Sequence, residues 1–252
     1  MIGEAKELFR ILAADLHIHT CLSPCASLDM SPVKIIDKAL NENLAIIAIT
    51  DHNSAENTSA MIAAARDTDL YVIPGLEVTT SEEAHIVGLF ENVEDALAMQ
   101  ALVYDNLQPG ENDEELFGIQ VVANEFDEVE NINKRLLIGA TSLSLDKVVS
   151  AIHRLKGLVV AAHIDRESFS IVSQLGFIPG DLNLDAIEIS KHISMHEAKE
   201  RFAQYNRAPF ITSSDAHFPE EIGTSPTALK VAGAGFSELR LALAGQGERK
   251  VL

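Results

Sequence analysis

The chain has 252 residues, with 19 basic against 38 acidic side chains and a formal net charge of −19. Hydrophobic residues make up 47% and charged residues 23%, which provides for a sizeable core and excludes wholesale disorder. The acid excess argues against a protein that holds DNA or RNA by neutralising phosphates, but leaves open a small anionic substrate reached through bound cations.

Along the chain, Leu8, Ile11 and Leu12 alternate with Glu4, Glu7 and Arg10, a pattern that reads as a short amphipathic helix rather than a leader. No apolar run approaches the roughly 20 residues of a membrane span. Two cysteines, Cys21 and Cys25, are too few for a disulfide scaffold. The expectation is a soluble, cytoplasmic protein with no membrane partner.

Short β-branched runs then recur: Ala13–Thr20, Leu44–Thr50, Leu70–Pro74, His85–Phe90, Leu158–Ala162, Leu184–Ile189 and Phe210–Ser213. Helical patterns such as Ser31–Asn43, Ala55–Arg66 and Met195–Tyr205 separate them. This alternation predicts βα units around a parallel sheet. The helix 145–156 is the best marked, with Ser144 as N-cap, Val148, Val149, Ile152 and Leu155 at helical spacing, and Gly157 as the C′ residue. Residues 91–143 break the rhythm. Asn92–Leu107 looks helical, Gln108–Glu114 is turn-rich and acidic, and Phe117–Ala123 fits either a strand or a buried helical turn. The stretch reads as an insertion within a single domain, either a cap over the barrel mouth or a solvated helical excursion.

Most of the apolar runs end, and one begins, in a histidine or carboxylate. In a barrel such positions converge on the face that carries the active site. His17 and His19 alternate along one strand, so both side chains point the same way and can bind one metal. His52, Glu77, His85, His163, Asp215 and His217 come from other strand ends or starts. Packing has no use for repeated histidines at one end of a sheet, so together they predict a metal site.

The motifs Asp15-Leu16-His17-Ile18-His19-Thr20, Thr50-Asp51-His52-Asn53, Gly75-Leu76-Glu77, His85-Ile86-Val87-Gly88, Ala162-His163 and Ser214-Asp215-Ala216-His217 stand in an order that resembles the PHP (polymerase and histidinol phosphatase) superfamily. The resemblance spans most of the chain. It implies a distorted seven-stranded (β/α) barrel whose mouth holds two or three divalent ions (zinc, manganese or iron), and it implies phosphoester hydrolysis. Carried over by residue, the ligands are His17, His19, His52, Glu77, His85, His163, Asp215 and His217, with Glu77 as the bridging carboxylate. The family has one more ligand, a histidine or aspartate shortly after the His-x-His pair. Here Cys25 stands at the matching position, either as a thiolate ligand or as a bystander, and Cys21 reads as packing.

Asp51 and His217 are candidates for acid/base work, with Asp51 alternatively orienting His52 or holding a turn. Arg166 and Lys191 lie just past strand ends, where they can hold substrate phosphate or merely balance acids. His153, His192 and His196 read as surface. The favoured reading is a phosphoesterase for small phosphomonoesters or nucleotides. A nuclease of the same superfamily, an amidohydrolase-like deacylase and a non-catalytic accessory domain are the competitors.

Overall fold

The structure is a computed structural model that describes residues 8–252. Its strands are β1 (Arg10–Ile18), β2 (Ile46–Ile49), β3 (Tyr71–Thr79), β4 (His85–Leu89), β5 (Val121–Ala123), β6 (Val129–Ile132), β7 (Leu158–Ala161), β8 (Ala186–Ile189), β9 (Phe210–Thr212), β10 (Thr227–Val231) and β11 (Lys250–Val251). The helices are α1 (Pro32–Asn41), α2 (Thr58–Ala64), α3 (Val93–Tyr104), α4 (Glu114–Phe117), α5 (Leu145–Arg154), α6 (Ile171–Leu175), α7 (Met195–Arg201) and α8 (Phe236–Leu243). Each of the apolar runs is thus a strand.

The main sheet has nine strands in the order β11-β10-β1-β2-β3-β4-β7-β8-β9. A parallel bridge from Ile18 to Ala216, just past β9, brings the two ends of the series β1 to β9 together. The barrel is therefore the expected seven strands, with β10 and β11 continuing the sheet beyond β1. Alternate residues divide between two environments. Ala14, Leu16, Ile46, Ala48, Val87, Leu89, Leu158 and Val160 share one core with α8, while Ile47 and Ile49 pack with α1, and Ile86, Val159 and Ala161 with α5. Strands buried on both faces read as continuous apolar runs, which is why they were legible.

Three local expectations are corrected. The N-terminal pattern does not continue as a helix: Ile11 and Leu12 lie in β1, opposite Lys230 and Leu229 of β10, and Glu4 and Glu7 lie outside the described residues. The sheet is not wholly parallel, because β4 runs antiparallel to both β3 and β7. That reversal places His85, the first residue of β4, opposite Thr79 at the end of β3. Finally, Gly157 is not the left-handed residue that ends α5. Lys156 takes that conformation, with φ of 56°, and donates its N–H to His153 O while Gly157 donates to Ile152 O. This is a Schellman pair shifted by one residue. Gly157 is needed for space instead, since a Cβ there would sit 2.8 Å from Phe90 Cε1 and 2.7 Å from Ile152 Cγ2. Ser144 is the N-cap residue, but the N–H of Leu145 is satisfied by Glu82.

Within 91–143, α3 is capped by Asn92 and buries Ala96, Met99 and Val103 in the barrel's helical layer. The excursion proper begins after it, closed by bridges Leu107–Thr141 and Glu111–Arg135 and carrying α4 and the β5–β6 hairpin. Its hydrogen bonds go to the segments following β1, β2 and β3. Val121 N–H donates to Cys21 O, Asp127 accepts from Ser31 and Val33, and Asn53 donates to Leu137 O and Gly139 O.

Candidate metal centre

The strand ends converge on Glu77. Its backbone is held between those of Asp51 and Asn53, whose residues follow β2: Glu77 N–H donates to Asp51 O and Asn53 N–H to Glu77 O. Around its carboxylate, His85 Nδ1 lies 2.8 Å, His163 Nε2 3.3 Å and His17 Nε2 3.4 Å from Oε1. On the other oxygen, His52 Nδ1 lies 2.9 Å and His19 Nε2 3.5 Å from Oε2. Asp215 adds a second carboxylate, with Oδ1 3.2 Å from His19 Nε2 and 3.4 Å from His17 Nε2. His217 stacks on His19 at 4.2 Å between centroids. The expected ligands His17, His19, His52, Glu77, His85, His163, Asp215 and His217 therefore come together in one cluster.

Two of these residues sit in left-handed backbone, His163 with φ of 28° and Asp215 with φ of 50°, and so does Asn53 with φ of 53°. Non-glycine residues hold such angles at a cost of about 1–3 kcal/mol each, and they gather at functional sites.

The donor set fits divalent cations. Buried His52 Nδ1, His85 Nδ1, His163 Nδ1 and Glu77 Oε2 make no well-formed hydrogen bond, although His52 Nδ1 lies 2.9 Å from Glu77 Oε2 and His85 Nδ1 2.8 Å from Oε1. Short approaches without hydrogen-bond geometry, among groups each costly to leave unpaired, suit a shared ion rather than a proton. Three triads have ligand atoms within 4.8 Å of one another: His19–His52–His217, His17–His19–Glu77 and His52–Glu77–His85.

Electrostatics agree. Burial raises the pKa of Glu77 and of Asp215, yet the surrounding histidines hold both well below the usual carboxylate range. Burial opposes charge on His17, but Glu188, Glu77 and Asp215 raise its pKa well above the ordinary value. Burial and the charge on His217 and His52 drive His19 well down, and burial takes His85 to about 4. Histidines pulled in opposite directions around two carboxylates are the environment that positive ions would even out.

Cys25 joins the cluster at its rim. It is exposed, and it lies near enough to His52 and His217 for both to act on its thiol. Desolvation by its neighbours works against the thiolate, but His52 and His217 outweigh it and bring the thiol to about 6. Cys21 is buried, and burial with the nearby Asp51 pushes its thiol up to about 12.

Asp51 does not present a free oxygen to the cluster. Its Oδ1 accepts from Thr20 N–H and Ser23 Oγ, and its Oδ2 from Thr20 Oγ1, all at 2.7 Å. Ser23 in turn contacts His19 Nδ1 at 2.9 Å and accepts the His52 N–H. Asp51 thus bears on His19 and His52 through Ser23. Arg166 does reach the cluster, with Nη1 2.6 Å from Asp215 Oδ2. Lys191 pairs with Glu221 at 2.8 Å, and Glu221 accepts the His217 N–H. His196 is exposed beside Glu200, whereas His153 is partly buried on Asp185 at 2.9 Å. His192 lines a groove beside the cluster together with Arg166 and Phe169.

Sequence reasoning missed Glu188. It is 1% exposed, contacts His17 Nδ1 at 3.0 Å and accepts the His163 N–H at 3.1 Å. The available signal was a carboxylate inside the apolar run Ala186–Ile189, where a charge survives only if paired. Asp15 was quoted only as part of a motif, but it accepts from Ser214 N–H and Gly223 N–H and so fixes the segment that carries Asp215.

The model of the PHP domain matches residues 15–175, more than half the chain, and that of the PHP-associated region matches residues 196–244. The chain belongs to the PHP domain family, the class of metal-dependent hydrolases that this fold and donor set define. Among curated proteins it is similar to the uncharacterized protein YqxK of Bacillus subtilis, 34% identical over 117 residues, which are 44% of this chain and 29% of that one. Among solved structures it shares a fold with the lesion-specific endonuclease PfuEndoQ of Pyrococcus furiosus. That match has a TM-score of 0.73 and 19% identity, over 96% of this chain and 58% of that one. A putative metal-dependent phosphoesterase of Bifidobacterium adolescentis matches with a TM-score of 0.60 and 17% identity, over 92% and 96% of the two chains. The chain thus spans less than two thirds of YqxK and of the endonuclease. Net charge is not a sufficient argument against nucleic acid, because phosphates can be met locally by bound ions and a few cations. Among the described residues, no helix is long and apolar enough to cross a membrane.

Proposed function

We propose that the protein is a phosphoesterase that hydrolyses a small phosphomonoester or nucleotide with two or three divalent ions, zinc, manganese or iron, held at the cluster. The observation that carries this reading is Glu77, with five histidine nitrogens within 3.5 Å of its two oxygens. A carboxylate so placed would hold such ions together with the histidines around it. His17, His19, His52, His85, His163, Asp215 and His217 complete the donor set, and Cys25 supplies a further ligand as thiolate, a choice that favours zinc or iron. Such ions, when bound, offset charge on phosphoryl oxygens and lower the pKa of water.

The chain's own residues do the rest. Glu188 holds His17 in the tautomer that leaves Nε2 free for ligation. Ser23, tied down by Asp51, contacts the opposite nitrogen of His19. Arg166 lies partly exposed beside Asp215 and is placed to hold a substrate oxygen, while Lys191 is engaged by Glu221 and stands further from that role. His217, with a side chain 19% exposed, is more open than His17, His19, His52, His85 or His163, and it would pass a proton to the leaving group only in place of ligation, not together with it. The excursion 107–143, hydrogen-bonded to the segments after β1 and β2, would serve as a cap over the mouth.

A second reading, cleavage of nucleic acid, is favoured by the fold shared with the endonuclease. One panel separates the two. Protein loaded with zinc or manganese is given p-nitrophenyl phosphate, nucleoside monophosphates and a duplex DNA with an abasic site. Turnover of the small esters that stops on chelation supports the first reading. Cleavage of the duplex alone supports the second, and no metal-dependent turnover contradicts both.

A further inference from the structure

Beside the cluster lies a groove of about 430 Å³ lined by Asp165, Arg166, Glu167, Ser168, Phe169, His192 and Ile193, within the roughly 300–1,000 Å³ usual for small-molecule sites. It meets the cluster at two points. Phe169 stacks on His85 with 4.8 Å between centroids and 17° between planes, and Arg166 Nη1 lies 2.6 Å from Asp215 Oδ2.

Phe169 is an unusual residue for its place. It holds φ of 58°, a left-handed conformation that bulky side chains rarely adopt, and the residue remains 42% exposed. Its backbone is nevertheless fixed, because its carbonyl accepts the His85 N–H at 2.8 Å. Folding alone gains little from a half-exposed aromatic ring in a strained turn. A ring braced from behind by His85 gives a flat, pre-organised face toward the groove, and Arg166 and His192 add two more planar groups to the same lining.

We propose that this groove is a subsite for a nucleobase, stacked on Phe169, while the phosphate of the same molecule lies over the cluster beside Arg166. The inference rests on the phosphoesterase reading and narrows its substrate class to phosphoesters that carry a base. Stacking suits this surface because every base has a π-face, and Arg166 contributes to the plane or to the phosphate. Beside the ring, Glu167 and Ser168 are exposed and can meet the polar edge of a base, while Asp165 is engaged by Ser190.

The first test needs no variant. Binding of AMP and of ribose 5-phosphate to the zinc-loaded protein is compared by calorimetry, and AMP is expected to bind at least tenfold more tightly. Equal affinities overturn the subsite. The second test uses Phe169→Leu, which keeps apolar bulk without the flat face, and Phe169→Tyr, which restores it. The ratio of kcat/KM for AMP over glycerol phosphate is expected to fall about 10- to 100-fold in the leucine variant and to recover in the tyrosine variant. A ratio unchanged in Phe169→Leu overturns the proposal, as does one that Phe169→Tyr fails to restore. If no phosphoester is turned over, the phosphoesterase reading fails. Tighter binding of AMP than of ribose 5-phosphate would then uphold the groove as a base site in a binding protein.

Discussion

At the scale of single residues, the candidate site is governed by who sits behind each ligand. Glu188 is buried and serves two of them, His17 through its ring and His163 through its backbone. Replacing it with glutamine keeps the shape and removes the charge. Loss of such a partner typically costs 10- to 100-fold in metal affinity. Glu188→Gln is therefore expected to bind zinc about 10- to 100-fold more weakly in a competition with a chelator, and an unchanged affinity would contradict the role given to Glu188. Cys25 offers a pH signature. Its thiol is brought to about 6 by His52 and His217, so the thiolate is populated above that pH and lost on acidification, whereas Cys21 at about 12 stays protonated. In metal-free protein, iodoacetamide is expected to modify Cys25 with a rate that rises through about pH 6 and to spare Cys21. Zinc should protect Cys25. Modification that zinc leaves unaffected would make the cysteine a bystander.

The element scale shows what a local pattern can and cannot carry. Strands buried on both faces announce themselves as apolar runs, and α5 does so by its spacing of Val148, Val149 and Ile152, all buried. Pairing partners are another matter. Nothing near Ile11 and Leu12 reports that β10, more than two hundred residues away, will draw them into a strand. Nor does the run 85–90 say that it will turn antiparallel, although that turn is what brings His85 to the mouth. Gly157 illustrates a subtler limit: it stands where a helix-ending glycine is expected, yet Lys156 takes the left-handed conformation and Gly157 leaves room for Phe90 and Ile152. A methyl group at 2.7 to 2.9 Å from three neighbours has nowhere to go. Gly157→Ala is expected to destabilise the fold by about 1–3 kcal/mol, the range for overpacked cores. Denaturant unfolding would read this directly, and a stability within about 0.5 kcal/mol of the parent, as for a neutral surface change, would show that β4 and α5 yield easily.

For the whole molecule, the donor set was more legible than the architecture around it. Histidines and carboxylates at strand ends are conspicuous because an apolar run gives them no other reason to be there. The residues that support them, Glu188 and Ser23, are inconspicuous, since one polar residue in a strand or turn has many structural uses. The groove at Phe169 could not be read at all. It arises from segments 165–169 and 192–193, which only the closed sheet brings side by side. Net charge at this scale says little about the mouth: −19 is a sum over the whole chain, while the mouth gathers six histidines and Arg166 around Glu77 and Asp215.

The proposed function requires that this cluster hold divalent ions. Elemental analysis of the protein purified without chelators, followed by titration with zinc and manganese, tests it most directly. Two to three equivalents per chain are predicted, with one lost in Cys25→Ala. A protein that carries no metal and takes up none on titration would contradict the claim, and with it the hydrolytic reading.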